Sequence, residues 1–267
     1  MAEFTFFDAG VNLTDQQFAE DHQAVLQRAR EASVTHQIII GSCLESSEAA
    51  LTLCETQADL FATVGVHPHH SQSFTPRHKE ALIALAQHPK VVALGEMGLD
   101  FFRDFSPRSQ QEAAFEAQLE LAADTLKKPV YLHEREAFER FHPMLKEARD
   151  HLTGALVHCF TGSKEALYAY LDLDCYISIS GWVCDERRGK PLQALIPHIP
   201  LERLLVETDA PYLIPRNLPT VPTVKHRNEP CFLPWVAKQV AQLRPEPEAV
   251  VFEQLMKNGK TFFGITH

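Results

Sequence analysis

Imidazole and carboxylate side chains follow several of the short apolar segments that the sequence predicts as β-strands. Glu96, His133 and His158 each stand at or just beyond the end of one such segment, and Asp209 follows the last. Imidazole nitrogens and carboxylate oxygens are the usual ligands of hydrolytic Zn²⁺, Mn²⁺ and Mg²⁺ sites. We therefore predict that these residues bind a divalent metal. Glu96 and Asp209 are also predicted to be catalytic, with Asp209 accepting a proton from the attacking water.

Each of these residues also has a structural interpretation that the sequence leaves open. The carboxylate of Glu96 could cap the next helix or pair with an arginine, and Asp209 could stabilise the turn before Pro211. A lone histidine after an apolar strand is more often a core or loop residue, but two at equivalent positions of adjacent strands favour metal binding. Gly95 and Gly98 lie close to Glu96, and we expect them to leave room for a ligand.

Two further histidines, His67 and His69, flank a proline, which makes the turn between them stiff. This turn is a good position for binding a phosphate oxygen or a metal, and we predict that both histidines bind substrate. A plain loop role is equally open for His69. Arg135 follows the fifth predicted strand and is also predicted to contact substrate.

An aromatic residue and two cations in one later segment are candidates for contact with nucleic acid. Trp182 could stack on a base, because every base presents a π-face, although core packing is the more common role of a tryptophan. Arg187 and Arg188 belong to a charged loop that could contact the substrate backbone or be solvated. We predict that this loop and residues 217–228 form the walls of a groove that admits a single strand.

The formal net charge of −10 argues against broad non-specific binding of duplex DNA, which requires a basic face. It does not exclude nucleic acid as a substrate, because a metal centre changes the local charge. Basic residues in the predicted loops could form a positive rim, although each could equally be solvated: Arg103, Arg108, Arg135, Arg187, Arg188, Lys190, Arg216, Lys225 and Arg227.

Short β-rich segments alternate with longer segments of helical period, which is the pattern of βα units around a parallel sheet. The predicted strands are residues 4–9, 37–41, 61–66, 91–95, 130–133, 155–158, 176–179 and 204–207. The predicted helices include residues 109–126, 234–243 and 246–257. Thr75 and Ser106 each precede a proline and are expected to cap helices. Eight such units and no Gly/Ser-rich linker predict one (β/α)₈ TIM-barrel domain over residues 1–267.

Length and composition agree with one globular domain. A chain of 267 residues with 45% hydrophobic residues suits a barrel, which takes about 250 residues. Its N-terminus does not resemble a secretory signal and its longest apolar runs are short, so we expect a cytoplasmic protein that is not bound to a membrane. The six scattered cysteines are expected to be free thiols. No glycine-rich phosphate-binding motif follows a strand, which argues against a nucleotide cofactor. We expect a monomer.

Seven motifs along the whole chain resemble the TatD family of metal-dependent deoxyribonucleases. They are residues 7–13, 65–69, 95–100, 158–162, 181–189, 207–212 and 227–230. The resemblance implies an amidohydrolase-like barrel that hydrolyses phosphodiester bonds, with Glu96, His133 and His158 as metal ligands and Asp209 as the catalytic aspartate. For the type whose motifs match best, it implies a 3′→5′ exonuclease on single-stranded DNA and RNA, usually with Mg²⁺, and a role in DNA repair.

One departure from the family concerns the first strand. Many relatives carry His-x-His there, whereas this chain has Gly10, Val11 and Asn12. Without two imidazoles the metal site should be weak or rich in oxygen ligands, which suits Mg²⁺ better than Zn²⁺, with Mn²⁺ also open. Two alternatives remain. The chain could be a small-molecule amidohydrolase or esterase on the same barrel, with tightly held Zn²⁺, or a barrel that has lost catalysis and only binds.

Overall fold

The computed structural model describes residues 4–220 and 226–266. Eight strands form one sheet in which each strand neighbours the next in chain order. The strands are β1 Phe6–Val11, β2 Val34–Ile39, β3 Leu60–Val64, β4 Val91–Asp100, β5 Val130–Arg135, β6 Ala155–Val157, β7 Tyr176–Ile179 and β8 Leu204–Val206. The pairs β1–β2, β3–β4, β4–β5, β5–β6 and β7–β8 are parallel. A parallel sheet in chain order is what the predicted barrel requires.

Helices alternate with the strands, as the sequence predicts. They are α1 His22–Glu31, α2 Leu44–Glu55, α3 Pro76–Ala86, α4 Arg108–Glu120, α5 Phe138–Ala148, α6 Lys164–Asp172, α7 Lys190–Leu195, α8 Leu233–Gln242 and α9 Glu248–Phe263. None of the helices among the described residues is long and apolar enough to cross a membrane. All six cysteines are free thiols, as expected.

The residues group into two compact units, each assembled from separate stretches of the chain. The first unit comprises Met1–Ile39, Cys159–Thr161 and Ile177–His267, and the second comprises Ile40–His158 and Gly162–Tyr176. Because neither unit is contiguous in sequence, this grouping does not decide whether the chain forms one domain. The single domain over residues 1–267 stays a prediction.

In the first unit, the last helix packs on the first strand. Phe7 of β1 stacks on Phe263 of α9 with ring centroids 5.7 Å apart. A Cβ atom on Gly259 would lie 2.5 Å from the Phe7 ring, so only glycine permits this contact. The segment after β8 is hydrogen-bonded to the end of β1 and to the residue that follows it. The Asp209 N–H donates to the Gly10 carbonyl at 2.9 Å, and the Asn12 N–H donates to the Ala210 carbonyl at 2.7 Å.

Arg227, predicted as part of a positive rim, instead belongs to a buried ion cluster of the first unit. It is 4% exposed and donates to Asp21 and Glu229 at 2.7 Å each. Arg28 of α1 donates to the same two carboxylates. A guanidinium enclosed in this way is not available to substrate, so the prediction for Arg227 was wrong.

Lys225 lies outside the described residues, as does the central part of the predicted loop 217–228.

In the second unit, β4 continues to Asp100, five residues beyond the predicted end. Gly95 and Gly98 have φ angles of +139° and +147°, and β4 remains paired with β5 up to Asp100 and Arg135. A Cβ atom at position 98 would lie 1.9 Å from the His133 carbonyl oxygen, and one at position 95 would lie 2.2 Å from that of Tyr131. The space beside these glycines is therefore taken by β5 and not by a ligand, contrary to our expectation.

Two buried glutamines of α4 hold the backbone at the ends of β3 and β4. Gln118 accepts the Val66 N–H at 2.8 Å and donates to the Val66 carbonyl at 3.0 Å. Gln111 accepts the Asp100 N–H at 2.9 Å and donates to the carbonyls of Asp100 and Ser106. Seven residues apart, the two amides lie on the same face of the helix. They bind the chain next to His67 and at Asp100.

The two predicted helix caps have different outcomes. Thr75 caps α3, which begins at Pro76, as predicted. Ser106 does not cap α4, because that helix begins at Arg108 and the Ser106 hydroxyl donates to the His69 carbonyl at 3.0 Å instead. The helix predicted at residues 109–126 ends at Glu120 and continues as a π-helical turn.

We predict that Gln111→Leu lowers the free energy of unfolding by about 2–4 kcal/mol, because it leaves several buried backbone groups without partners. Gln110→Leu changes the neighbouring exposed glutamine of the same helix and should alter stability by less than about 0.5 kcal/mol. Urea denaturation of both variants measures the difference. Equal stability of the two variants would show that the amide of Gln111 does not hold this backbone.

Candidate metal centre

Three imidazole rings of the second unit converge on one carboxylate oxygen, Oε1 of Glu96. His158 Nε2 lies 2.7 Å from it, His133 Nδ1 lies 2.8 Å from it and His67 Nε2 lies 3.4 Å from it. Glu96 and His158 are 6% and 4% exposed. The structure thus brings together the three predicted metal ligands of this unit and adds His67, which the sequence suggested as a substrate contact.

The backbone of neighbouring strands sets the positions of these side chains. Glu96 lies within β4, and its N–H donates to the Gly41 carbonyl at 2.9 Å. His133 lies in β5 opposite Gly98. His158 directly follows β6, and its N–H donates to the Leu132 carbonyl at 3.0 Å. These three side chains are therefore held by strand pairing and not by free loops.

His67 differs from the other two histidines in its hydrogen bonding. Its Nδ1 atom accepts the backbone N–H of His69 at 3.1 Å. The neutral ring must then carry its proton on Nε2, the atom that faces Glu96. His67, Glu96 and His133 lie close enough to hold an ion. This tautomer, however, makes His67 a hydrogen-bond donor toward an oxygen, which agrees better with the predicted contact to phosphate than with metal binding.

Asp100, which we did not predict as a site residue, carries a second carboxylate beside the histidines. Its Oδ2 lies 2.8 Å from His69 Nε2 and 3.4 Å from His133 Nε2, and the residue is 1% exposed. Its Oδ1 accepts the backbone N–H groups of Phe102 and Arg103 at 3.1 and 2.8 Å. The motif at residues 95–100 contains this aspartate, but only the continuation of β4 shows that it faces the histidines.

The charges of the cluster follow from burial and from these contacts. Burial opposes ionisation of Glu96, but the fields of His67 and His158 and the hydrogen bonds from the rings outweigh it, so its pKa lies well below the usual range. Burial lowers the pKa of His67 to about 4 despite the pull of Glu96. Burial also opposes the charge on His133, but the carboxylates of Asp100 and Glu96 outweigh it and raise the pKa of His133. At neutral pH Glu96 is ionised and His67 is neutral.

The donor set fits a divalent cation. The ring nitrogens of His133 and His158 lie 3.4 Å apart and 2.7–2.8 Å from Glu96 Oε1. Ligands about 2.1 Å from one ion lie roughly 3.0–3.4 Å from each other in octahedral or tetrahedral geometry, so small shifts would suffice.

Asp209 belongs to the first unit, where it follows β8 with a φ angle of +51°. The side-chain amide of Asn12 donates to its Oδ1 atom at 2.9 Å. Asn12 stands where many relatives of the resembled family carry the second histidine of His-x-His. The preceding Thr208 is fixed by the buried carboxyl group of Asp8, whose oxygens accept its hydroxyl at 2.6 Å and its N–H at 2.9 Å. Burial raises the pKa of Asp8 to about 8. The predicted roles of Asp209 in metal binding and catalysis stay predictions.

The remaining predicted substrate residues have different surroundings. Arg135 lies over the Phe102 ring, with its guanidinium carbon 4.1 Å from the ring centroid. In the first unit, Trp182 is half-buried and Arg187 and Arg188 are exposed. The backbone N–H groups of Arg187 and Arg188 both donate to the side chain of Asp185, which fixes the loop. Contact of these residues with substrate stays a prediction.

Residues 7–264 match the profile of the family described as TatD related DNase. The chain belongs to the TatD-related DNase family. A protein from Salmonella typhimurium is 47% identical over 97% of this chain and 99% of its own length, and one from Edwardsiella piscicida is 51% identical over 94% and 96%. Both relatives carry the name 3′-5′ ssDNA/RNA exonuclease TatD. The chain is therefore a nuclease of the hydrolase class, as predicted.

Solved structures of TatD proteins have the same fold. The TatD homologue YJJV of Escherichia coli has a TM-score of 0.89 at 30% identity, covering 98% of both chains. A TatD-family hydrolase of Entamoeba histolytica has a TM-score of 0.90 at 25% identity, covering all of both chains. A phosphotriesterase homology protein of Escherichia coli, 15% identical with a TM-score of 0.66, shares the fold alone. The predicted (β/α)₈ barrel of amidohydrolase-like type is confirmed.

We predict that Gly98→Ala displaces β5 at His133 and lowers the free energy of unfolding by about 3 kcal/mol or more, because a Cβ atom has no space there. Gly264→Ala is the matched control, since Gly264 also has a positive φ of +65° but no atom within 4 Å of the new Cβ. It should cost only about 1–2 kcal/mol. Urea denaturation of the two variants compares them, and equal losses would contradict close packing at position 98.

Proposed function

We propose that this chain is a metal-dependent exonuclease that removes nucleotides from the 3′ end of single-stranded DNA and RNA. The observation that carries the proposal is the convergence of His133 and His158 on the ionised Glu96, in a chain whose relatives carry the name of such an enzyme. The direction of degradation and the single-stranded substrate rest on those relatives and on the seven motifs.

We propose Glu96, His133, His158 and Asp209 as metal ligands. A divalent cation bound by them would polarise a phosphate oxygen and lower the pKa of a bound water. The Nε2–H of His67, which faces Glu96 at 3.4 Å, would also be in position to donate to a phosphate oxygen, and the low pKa of His67 leaves the ring neutral. Asp209, oriented by the amide of Asn12, accepts the proton of the attacking water.

Mg²⁺ is the proposed cation, with Mn²⁺ or Zn²⁺ as alternatives. Asn12 supplies an amide where many relatives have an imidazole, so the chain offers fewer nitrogen ligands than a tightly held Zn²⁺ prefers. A hard cation that keeps water and substrate phosphate among its ligands suits such a site. The cytoplasmic location, the monomeric state and the role in DNA repair stay predictions.

The two alternative functions have less support. An amidohydrolase or esterase acting on small molecules would share the barrel, but the relatives at 47–51% identity carry the name of a nuclease. A barrel that only binds nucleic acid would have no reason to retain a buried ionised carboxylate among three imidazoles, since burying a charge costs several kcal/mol.

We predict that His133→Ala and His158→Ala each lower the turnover of end-labelled single-stranded DNA at least about a hundredfold, because each removes a ring that would bind the metal. His151→Ala replaces an exposed histidine and should leave turnover unchanged. Wild-type activity should disappear in EDTA and return with millimolar Mg²⁺. Products shortened from the 3′ end, resolved on a denaturing gel, report direction.

Circular dichroism and urea denaturation serve as controls for folding of the two site variants. Near-normal turnover by folded His133→Ala protein would refute the assignment of the metal ligands. Activity that persists after exhaustive chelation would refute metal dependence. Shortening from the 5′ end would leave the metal centre in place and refute the proposed direction.

A further inference from the structure

The loop after β4 presents two phenylalanine rings to solvent. Phe102 is 50% exposed and Phe105 is 62% exposed. Only five large hydrophobic side chains are exposed among residues 4–220 and 226–266, and these two stand three positions apart. Large apolar rings that remain uncovered in one short segment are typical of binding surfaces. We call residues 101–105 the aromatic loop.

The aromatic loop is held rigidly at both ends. Asp100 accepts the N–H groups of Phe102 and Arg103, and the Phe101 N–H donates to the Arg135 carbonyl at 2.9 Å. At the other end, Ser106 is bound through its carbonyl to the buried Gln111. The backbone that carries the exposed rings is therefore held at both ends, which reduces the backbone entropy lost when a ligand binds them.

Cations and an imidazole border the two rings. The guanidinium of Arg135 lies 4.1 Å from the Phe102 ring centroid, and that of Arg103 lies 5.7 Å from it. The Phe105 ring lies 4.7 Å from the ring of His69. Arg108 is not available in the same way, because it pairs with Asp104 at 2.7 Å. An aromatic surface with adjacent guanidinium groups is complementary to a ligand that carries both flat rings and negative charge.

The aromatic loop is also connected directly to the metal centre of the same unit. One oxygen of Asp100 binds the loop backbone, and the other contacts His69 and lies 3.4 Å from His133. Arg135 follows His133 by two residues on β5. A nucleic acid strand that covers the two rings could therefore continue to the metal centre, where we propose that its scissile phosphate binds.

We propose that Phe102 and Phe105 form a base-stacking platform for single-stranded nucleic acid, with Arg135 and Arg103 contacting its phosphates. The proposal rests on the proposed nuclease function and names the surface that holds the strand next to the scissile bond. A stacked duplex buries the faces of its bases, whereas a single strand exposes them to aromatic side chains. The platform thus selects single strands by stacking on their bases, an interaction that does not require a positive net charge of the chain.

The test measures binding apart from catalysis. A 5′-fluorescein-labelled thymidine 12-mer is titrated with protein in EDTA, and anisotropy gives Kd. We expect Phe102→Ala and Phe105→Ala each to raise Kd about tenfold, within the range that loss of one stacked base gives. Phe102→Trp should keep near-normal affinity. Tyr168→Ala is the matched control, because Tyr168 of α6 is also exposed, at 42%, and also lies beside a cation, Lys164. It should not change Kd.

A substrate of the same length with abasic residues at every position tests the platform without changing the protein. Wild-type protein should bind this oligomer at least about tenfold more weakly than the thymidine 12-mer, and Phe102→Ala should weaken abasic binding no further. Equal affinity of the wild type for both oligomers, or unchanged Kd in both alanine variants, would overturn the proposal.

Hydrolysis of the thymidine 12-mer in Mg²⁺ is assayed in parallel. Binding that depends on Phe102 without any hydrolysis would refute the proposed metal-dependent exonuclease activity and leave the platform standing.

Discussion

A buried negative charge on Glu96 is the constraint on which the second unit depends. Removing a carboxylate from water costs several kcal/mol unless charged or polar partners compensate. Here the partners are three imidazole rings that contact one oxygen. The fields of His67 and His158 and the hydrogen bonds from His133 and His158 hold the pKa of Glu96 well below its usual range. His133 of β5 lies within hydrogen-bonding distance of the Glu96 carboxylate because Gly95 and Gly98 let β5 approach β4 closely. The same arrangement that compensates the charge leaves ring nitrogens in positions suited to a cation.

Asp100 and helix α4 couple this centre to its surroundings. The two oxygens of Asp100 face different partners, since one orients His69 beside His133 and the other fixes the backbone of the aromatic loop. Gln111 and Gln118 hold the chain at Asp100 and next to His67 from a single helix face. A shift of α4 would therefore move a histidine and the exposed phenylalanines together. We infer that the proposed metal ligands of the second unit and the proposed platform for bases, both held by β4, β5 and α4, behave as one rigid assembly.

The sequence predicts most of the fold because the alternation of strands and helices is regular and the strand ends carry His and acidic residues. It misplaces the end of β4, since two glycines in six residues are typical of a turn, and only pairing with β5 shows that they continue the strand. The glutamines of α4 could not be identified from their spacing, because polar residues in a helix are usually solvated. Asp100 could not be identified because it lies five residues beyond the predicted end of its strand. Arg227 is a cation in a predicted loop and therefore resembles a substrate contact in the sequence. In the structure it lies in an ion cluster with Asp21, which is distant in sequence and is brought close only by the tertiary fold.

The central claim is that the ionised carboxylate of Glu96 is a metal ligand. The most direct measurement is a Mn²⁺ titration followed by electron paramagnetic resonance, which reports free Mn²⁺, with wild-type protein, Glu96→Gln and the exposed control Glu116→Gln. Glu96→Gln preserves the shape of the side chain but removes its charge. The account predicts that this variant binds Mn²⁺ at least about a hundredfold more weakly while Glu116→Gln binds like the wild type. Equal Mn²⁺ affinity of folded Glu96→Gln and wild-type protein would contradict it.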